Sequence, residues 1–289
     1  MMISRCYLEI TNVCNLDCIF CPKTTRRSHL LTAEEFDLLT DRLRGEIKFL
    51  YFHLMGEPML HPLLPRFIAE ARRKEFIPVL TTNGTLFDPQ RQVGGVSPVA
   101  ALLESLPHKV QISLHSQEGN GVESPEQYID HVMTFALEAA RRGTIVVLRL
   151  WNQGGYDSRN AELLQLLSRH VPQPWTERYD GYKLSERLYL EYDQMFEWPD
   201  EEHRELGVNE VFCYALRNQV GVLVDGTVVP CCLDHDGSIA LGNLFTQSLQ
   251  EILSSPRAQA IYDGFSHHTA SESLCRKCDY AAVTKRFRK

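Results

Sequence analysis

The sequence predicts an α/β fold: a partial (β/α)6 TIM-like barrel with a small C-terminal domain made of a β-hairpin and helices. Two observations support this class. Six strand-like runs alternate with helical stretches, which is typical of βαβ units around a parallel sheet. Six such units fall short of the eight that close a full barrel, so an open sheet is expected.

The predicted elements follow one another in a regular order. Strands are predicted over Tyr7–Thr11, Phe49–Leu54, Ile77–Thr82, Lys109–Leu114, Thr144–Leu150 and Leu188–Tyr192. Helices are predicted over Thr32–Gly45, Leu63–Lys74, Pro98–Leu106, Pro125–Arg142 and Ser158–His170. The first helix has a capping-box pattern, with Thr32 as the N-cap and Glu35 three residues later.

Composition narrows the classes of protein that the chain can belong to. It has 289 residues, of which 44% are hydrophobic, so it can bury a sizeable core and is not intrinsically disordered. The net charge is −7, which argues against a nucleic-acid partner, because non-specific binding needs a cationic surface. The sequence shows no signal peptide and no apolar run of spanning length. We therefore expect no membrane partner and a cytoplasmic location, where thiols stay reduced.

The nine cysteines lie in two groups and are absent between residues 22 and 212. Cys14, Cys18 and Cys21 have the spacing C-x3-C-x2-C. Three thiolates so close in sequence can share one soft metal centre if the loop wraps it, and an iron–sulfur cluster is the natural partner. Three ligands leave one iron of a four-iron cluster open to a substrate or co-substrate. A zinc knuckle with a remote fourth ligand and simple packing thiols are the alternatives.

The second group of cysteines belongs to the predicted C-terminal hairpin. Val220–Val224 and Thr227–Pro230 flank the turn Asp225-Gly226, which brings Cys213 and Cys231 toward each other. Cys275 and Cys278 follow with C-x2-C spacing, after helical stretches at Ser248–Leu253 and Arg257–Tyr262. Four thiolates satisfy either one tetrahedral zinc ion or one iron–sulfur cubane. Cys232 is then a spare thiol, and Cys6 is expected to be a buried small hydrophobe.

The first cysteine group resembles that of the radical S-adenosylmethionine (SAM) superfamily, with Phe20 in the aromatic slot of C-x3-C-x-aromatic-C. Met55-Gly56-Glu57-Pro58 resembles the family's Gly-Gly-Glu-Pro segment, although Met55 replaces the first glycine. Thr82-Asn83-Gly84 and Ile112-Ser113-Leu114-His115 resemble the strand ends that approach SAM. The resemblance implies SAM, a [4Fe–4S] cluster held by Cys14, Cys18 and Cys21, and a flavodoxin- or ferredoxin-type electron donor. The implied SAM-binding residues are Phe20, Met55, Gly56, Glu57, Pro58, Asn83 and Ser113.

The second group resembles the SPASM and twitch extensions of that superfamily. Cys213, Gly226 and Cys231 fit C-x(9–15)-G-x4-C, and Cys275 with Cys278 fits the following C-x2-C. The resemblance implies one auxiliary [4Fe–4S] cluster held by these four cysteines. It also implies a division into a partial barrel over residues 1–205 and an auxiliary-cluster domain over residues 206–289.

Alternation along the predicted strands places a polar set inside the barrel, because side chains two apart share a face. Arg149 is interpreted as cofactor-binding, since a fixed cation suits a carboxylate of SAM or of substrate. The predicted substrate contacts are Glu9, His53, His115 and Trp198. Trp198 lies in the aromatic segment 196–200, which is expected either to close the pocket or to serve as an ordinary linker.

Three functions remain open from the sequence. The first strand starts about six residues into the chain, which leaves no room for a leader-peptide module and favours a small polar substrate, with queuine lyase-like or dehydrogenase-like chemistry. The second is a peptide maturase of the SPASM family. The third is a non-enzymatic metal-binding structural protein.

Overall fold

A continuous, open sheet organises the chain. The computed structural model describes residues 3–119, 124–202 and 211–281. The strands in chain order are β1 (Arg5–Leu8), β2 (Phe49–Phe52), β3 (Ile77–Thr82), β4 (Lys109–Ser113), β5 (Ile145–Gln153), β6 (Thr176–Arg178), β7 (Gly181–Ser185), β8 (Leu188–Gln194), β9 (Gln219–Val222), β10 (Thr227–Val229) and β11 (Gly242–Asn243). Their order across the sheet is β11-β10-β9-β1-β2-β3-β4-β5-β8-β7-β6.

The centre of the sheet is the predicted partial barrel. Strands β1, β2, β3, β4, β5 and β8 pair in parallel, each with the next. The predicted open α/β architecture is therefore confirmed. The sheet continues past both ends of this parallel set. At one end, β6, β7 and β8 form an antiparallel meander, and at the other, β9 pairs with β1 in parallel.

The C-terminal hairpin thus continues the barrel sheet. Its two strands, β9 and β10, pair in antiparallel fashion around the predicted Asp225-Gly226 turn. Gly226 has a φ of +81°, and a Cβ there would lie 2.8 Å from Asn243 Oδ1. Glycine tolerates this backbone conformation and is the residue that the close approach allows. The hairpin form predicted from the sequence is confirmed.

Helices connect the strands and cover the core. Their bounds are α1 (Ala33–Leu43), α2 (Leu64–Arg73), α3 (Pro98–Ser105), α4 (Ser116–Gly119), α5 (Pro125–Arg141), α6 (Asn160–His170), α7 (Leu249–Leu253), α8 (Pro256–Ser266) and α9 (Ser273–Arg276). Helix α1 begins with the predicted capping box, in which Thr32 and Glu35 satisfy each other's backbone N–H groups. Its inner face buries Phe36, which stacks on Phe67 of α2 at 4.1 Å between ring centroids.

Several boundaries differ from those predicted. Strand β1 ends at Leu8, three residues before its predicted end at Thr11. The backbone N–H of Glu9 still donates to the carbonyl of Val222 at 2.9 Å, while the side chains of Glu9 and Thr11 bond to partners in the following loop. Strands β6 and β11 and helices α4 and α9 were not predicted, since each has at most four residues and shows no periodic pattern. Strand β7 was also missed, although Tyr182 and Leu184 alternate with its other residues. Among the described residues, no helix combines the length and apolar character needed to span a membrane.

Candidate functional site

The first cysteine group lies in the loop between β1 and α1. Cys14 is exposed, Cys18 is buried and Cys21 is half-buried. The backbone N–H of Cys21 donates to the carbonyl of Cys18 at 3.1 Å, which forms a tight turn. Desolvation raises the pKa of the Cys14 thiol, and the neighbouring Glu57, Cys18 and Cys21 raise it further. The loop therefore brings the three thiols near one another.

The loop is held in place from within. Thr11 Oγ1 donates to the carbonyl of His29 at 3.1 Å, and Asn12 Nδ2 donates to the carbonyl of Arg27 at 3.0 Å. These two bonds tie the start of the loop to its end. The side chains of Thr11 and Asn12, which follow β1, thus hold the loop in the curved conformation that a shared metal centre needs.

The Met55–Pro58 segment packs directly against this loop. Gly56 has a φ of +75°, and a Cβ there would lie 2.8 Å from the carbonyl oxygen of Val13 and closer still to that of Thr11. The backbone N–H of Glu57 donates to the carbonyl of Val13 at 2.8 Å. Two backbones therefore meet here, an approach that only glycine permits.

The carboxylate of Glu57 is engaged by the protein itself. It accepts hydrogen bonds from Thr82 Oγ1 at 2.7 Å and from the backbone N–H groups of Asn83 and Met59 at 2.7 and 2.9 Å. Burial nevertheless raises the pKa of this carboxyl group. The Asn83 side chain pairs with Asn15 and Thr85. The structure thus brings these predicted cofactor residues to the cysteine loop, where they brace the ends of β2 and β3.

Phe20 connects the loop to an internal cavity. Its ring lies 5.4 Å from that of His115, and a Cβ at position 119 would sit 2.9 Å from its Cδ1 atom. Phe20 and His115 both line the cavity, whose volume is about 240 Å³. The aromatic side chain of the cysteine motif therefore forms part of the cavity wall.

The cavity extends from the interior of the barrel to the C-terminal segment. Its barrel wall carries polar side chains from β1 to β5 and from the residue after β2, namely Tyr7, Tyr51, His53, Thr81, Gln111, Ser113 and Arg149. Its other wall carries Cys213, Cys231, Cys232, Cys275 and Cys278. The interior positions of Ser113, His53, His115 and Arg149 agree with the predicted alternation. Tyr7 and Tyr51 were missed, although Tyr51 lies two residues from His53 and the same period would have found it.

Arg149 carries a positive charge that no described residue neutralises by an ion pair. Its Cζ lies 4.1 Å from the centroid of the Trp151 ring, and its buried Nε atom has no hydrogen-bond partner. Burial lowers the pKa of the guanidinium to about 10, opposed by Glu191, so the group remains protonated at neutral pH. Ser113 and Glu191 are its register partners on β4 and β8.

Two neutral imidazoles share the barrel wall with this cation. Burial lowers the pKa of His53 to about 4, and the charge of Arg149 lowers it further. The pKa of His115 is also lowered to about 4, chiefly by burial. The Nδ1 atom of His115 lies 3.2 Å from the carbonyl oxygen of Arg149. Both rings are therefore neutral at neutral pH and can exchange hydrogen bonds with a ligand.

Glu9 lies outside the set of residues that line the cavity. Its carboxylate forms a two-point ion pair with Arg26, at 2.7 and 2.8 Å. It also accepts the backbone N–H groups of Met55 and Val224, each at 3.1 Å. All of these partners are protein groups, so the structure gives Glu9 a bracing position in place of the predicted contact with substrate.

The four cysteines of the second group, Cys213, Cys231, Cys275 and Cys278, all line the same cavity wall. Desolvation raises the pKa of the Cys231 and Cys275 thiols, and neighbouring thiols, including Cys213 and Cys278, raise it further. Cys232 also faces the cavity and packs with Trp198 against an apolar cluster that contains Met55. Trp198 thus lies at the cavity wall, which favours the closing segment over the ordinary linker that the sequence also left open.

The donor chemistry of the two groups fits iron–sulfur clusters. Each group is composed of cysteine thiols alone, and soft thiolates are the ligands that such clusters use. Within residues 3–119, 124–202 and 211–281, no three His, Cys, Asp or Glu side chains are arranged to hold a single metal ion. Three thiols at the first group and four at the second match the ligand counts of an open and a fully ligated cubane.

Comparison with protein families gives two matches. The family model described as the radical SAM superfamily matches residues 8–167. The family model described as the SPASM iron–sulfur cluster-binding domain matches residues 213–279. Both cysteine groups fall within the matched segments.

One curated relative and several solved structures are similar to the chain. The relative is a tungsten-containing aldehyde ferredoxin oxidoreductase cofactor-modifying protein of Pyrococcus furiosus, 36% identical over 88 residues, a match that covers 28% of this chain and only 24% of that protein. BtrN in complex with AdoMet and 2-DOIA has a TM-score of 0.60 at 15% identity, covering 98% of this chain and 95% of BtrN.

Two further structures have the same fold and were solved with peptides. Streptococcus suis SuiB bound to precursor peptide SuiA has a TM-score of 0.61 at 14% identity, covering 99% of this chain and 74% of SuiB. Native anSMEcpe with bound AdoMet and Kp18Cys peptide has a TM-score of 0.63 at 14% identity, covering 98% of this chain and 96% of anSMEcpe. At these identities the likeness concerns the fold.

Proposed function

This chain belongs to the radical SAM superfamily and carries a SPASM iron–sulfur domain, and we propose that it abstracts hydrogen from a substrate held in the internal cavity. The family implies a [4Fe–4S] cluster with SAM, and the SPASM domain implies auxiliary iron–sulfur clusters. When bound, the first cluster and SAM supply a 5′-deoxyadenosyl radical by reductive cleavage. The observation that carries the proposal is a single cavity that reaches from Phe20 to the four C-terminal cysteines.

The chain's own residues have distinct tasks in this proposal. Cys14, Cys18 and Cys21 hold the first cluster, and the second cysteine group holds an auxiliary one. Gly56 lets the Met55–Pro58 backbone approach the cysteine loop closely enough to form the SAM side of the site. Aromatic and aliphatic side chains, among them Phe20 and Trp198, line part of the cavity and limit the access of water, which protects a reactive primary radical from quenching.

We propose a peptide or protein side chain as the substrate. The sequence favoured a small polar molecule, but SuiB was solved with a precursor peptide and anSMEcpe with the Kp18Cys peptide, and both have this fold. The curated relative is described as a cofactor-modifying protein, and this description specifies neither a peptide nor a small-molecule substrate. A single side chain fits a cavity of about 240 Å³.

A small polar molecule is the second candidate, with lyase or dehydrogenase chemistry. Two observations favour it: BtrN was solved with 2-DOIA, and the cavity is of a size that also suits a free small ligand. The lyase or oxidoreductase class, the flavodoxin- or ferredoxin-type donor, the cytoplasmic location and the domain division after residue 205 stay predictions from the sequence.

The test is anaerobic reconstitution followed by a search for hydrogen transfer. We expect about eight iron and eight sulfide per chain from two four-iron clusters. The reduced protein with SAM is then incubated with extracts from the source organism grown in deuterated medium, separated by molecular size. Deuterium in 5′-deoxyadenosine from the peptide and protein fraction supports the first candidate, and deuterium from the small-molecule fraction supports the second. Failure to form 5′-deoxyadenosine with any fraction contradicts the proposal.

A further inference from the structure

The substrate of this site carries a carboxylate, we propose, and Arg149 binds it at the cavity wall. The inference rests on the proposed function and adds the chemical class of the substrate. It also departs from the sequence-based interpretation, in which Arg149 was assigned to the cofactor. The carboxylate can belong to a free small acid or to an acidic peptide, and the experiment below distinguishes these sources.

The first argument is the uncompensated charge. Arg149 forms no ion pair with a described residue, and its Nε atom is buried without a hydrogen-bond partner. Arg149 as a whole is half-buried, and a cation partly withdrawn from water is destabilised unless an opposite charge or hydrogen-bond acceptors reach it. The interaction that the protein does supply, stacking on Trp151 at 4.1 Å, provides no acceptor for the guanidinium N–H groups. An anionic ligand would satisfy them.

The second argument concerns the other charges around the cavity. Asp234 also lines it, but its two carboxylate oxygens accept the backbone N–H groups of Ser238 and Ile239, each at 2.8 Å. Glu191 is the register partner of Arg149, yet no ion pair joins the two side chains. No carboxylate of the described cavity wall therefore pairs with Arg149, and the other acidic groups of that wall are the cysteine thiols assigned above to the auxiliary cluster.

The third argument is the position of the guanidinium. The ionisable groups that interact with it most strongly are Glu191, Tyr7, Tyr51 and Cys232. Cys232 belongs to the C-terminal wall of the cavity, whereas Cys14 interacts with Glu57, Cys18 and Cys21. Arg149 thus lies between the two ends of the cavity. Its interaction with Cys232 joins it to the C-terminal wall, and the contact of its carbonyl with His115, whose ring lies 5.4 Å from that of Phe20, joins it to the first cysteine motif. A substrate next to SAM would lie here.

The fourth argument selects a carboxylate. Stacking on Trp151 covers one face of the guanidinium, so an anion is best bound in the plane, where two parallel N–H groups match the two oxygens of a carboxylate. Ser113 lies beside Arg149 in register, and its hydroxyl makes no hydrogen bond within the described part of the chain. The sequence-based interpretation assigned Ser113, like Arg149, to SAM; in this inference its hydroxyl donates instead to the same substrate carboxylate.

The test uses the reconstituted holoenzyme with SAM bound, labelled with 5-fluorotryptophan. The chain has three tryptophans, so ¹⁹F NMR gives a small set of signals, and a Trp151→Phe variant assigns that of Trp151. Benzoate is titrated as the carboxylate probe and benzamide as its neutral isostere. We expect benzoate to shift the Trp151 signal saturably and benzamide to bind at least about tenfold more weakly, since a charge-assisted pair is lost.

Variants locate the effect. Arg149→Gln should weaken benzoate binding about tenfold or more, and Arg149→Lys should retain part of it. Arg178→Gln is the matched control, because Arg178 also stacks on an aromatic ring, that of Tyr189 at 5.0 Å, but is exposed on β6. Its benzoate affinity should equal that of the unaltered protein. Far-UV circular dichroism and iron content confirm that each variant is folded and loaded.

A second pair of probes identifies the source of the carboxylate. Tighter binding of acetyl-Gly-Glu-Gly-amide than of benzoate supports an acidic peptide, and the reverse order supports a free small acid. Equal binding of benzoate and benzamide overturns the inference, as does an Arg149→Gln variant that loses SAM affinity while keeping benzoate affinity. Formation of 5′-deoxyadenosine is measured separately, so failure of the proposed radical chemistry is distinguishable from failure of carboxylate recognition.

Discussion

The carboxylate of Glu9 and the guanidinium of Arg26 form a two-point ion pair, at 2.7 and 2.8 Å, that joins the end of β1 to the cysteine loop. The Glu9 side chain is fully buried and that of Arg26 is 13% exposed. Through the backbone N–H of Val224, the same carboxylate reaches the C-terminal hairpin. One acidic residue thus braces the first cysteine loop against the SPASM segment.

Replacing Glu9 should destabilise the protein strongly. Glu9→Gln removes the two-point partner of the largely buried Arg26, which keeps only the longer contact with Asp236 at 3.8 Å, and we expect a loss of about 3 kcal/mol in the free energy of unfolding. Denaturant titration of anaerobic protein, followed by circular dichroism, measures this change. Asp17→Asn is the control: it removes the exposed pair with Lys23 and should change the free energy by about 1 kcal/mol or less. Similar effects of both variants would contradict the bracing position.

Gly56→Ala should displace the cysteine loop. A Cβ at this position would meet the carbonyl oxygens of Thr11 and Val13, and neither backbone atom can move without moving the loop. We expect iron content to fall from about eight to about four per chain as the first cluster is lost. Gly45→Ala is the matched control, since Gly45 has a similar φ of +83° but nothing within 4 Å of the added Cβ. Full iron content in Gly56→Ala would show that the loop tolerates the change.

The two cysteine groups should be separable by mutation. Cys14→Ala should abolish 5′-deoxyadenosine formation, because the first cluster then lacks one of its three ligands. Cys275→Ala should keep some SAM cleavage but lose product. Liquid chromatography of 5′-deoxyadenosine, together with iron analysis, checks both expectations. Intact product formation by Cys275→Ala would argue against an electron-transfer task for the auxiliary cluster.

Stability should fall as the pH falls below the ordinary pKa of histidine. Burial lowers the pKa of His53 from 6.5 to about 4 in the folded protein, so the unfolded chain binds more protons between these values. This contribution is fully present above about pH 6.5, and we expect a loss of about 2 kcal/mol by about pH 5. Denaturant titrations at several pH values measure it. His53→Gln should lose that part of the pH dependence, and an unchanged slope would contradict the assignment.

The N-cap of α1 gives a small, local prediction. Thr32→Ala removes the side-chain oxygen that accepts from the backbone N–H of Glu35 at 3.1 Å, and should cost about 1 kcal/mol. The melting temperature of the anaerobic protein reports this change. Thr134→Ala is a suitable control. Thr134 lies in the middle of α5, its side chain is exposed, and its hydroxyl bonds only to the carbonyl of Asp130. A larger loss at Thr134 than at Thr32 would contradict the capping argument.

The sequence determined the elements whose signal is local. Strand β3 has its predicted bounds, and the capping box at Thr32 and the Asp225-Gly226 turn are confirmed, because each depends on neighbouring residues alone. The family and its cofactors could be predicted from the two cysteine spacings in the same way, because a loop that wraps a cluster must keep its ligands close in sequence. Short elements such as β11 gave no periodic signal.

Tertiary structure decided what depends on distant partners. Alternation placed Arg149 inside the barrel, but only the fold shows that it stacks on Trp151 without a carboxylate partner. The same alternation along the strands suggested Glu9 as a substrate contact, whereas in the fold its carboxylate binds Arg26 and the backbone N–H of Val224. Val224 lies 215 residues further along the chain. Whether a buried charge is neutralised or left for a ligand depends on which groups the folded chain brings within a few ångströms. Strand periodicity predicts which face a side chain occupies but not which distant groups it contacts.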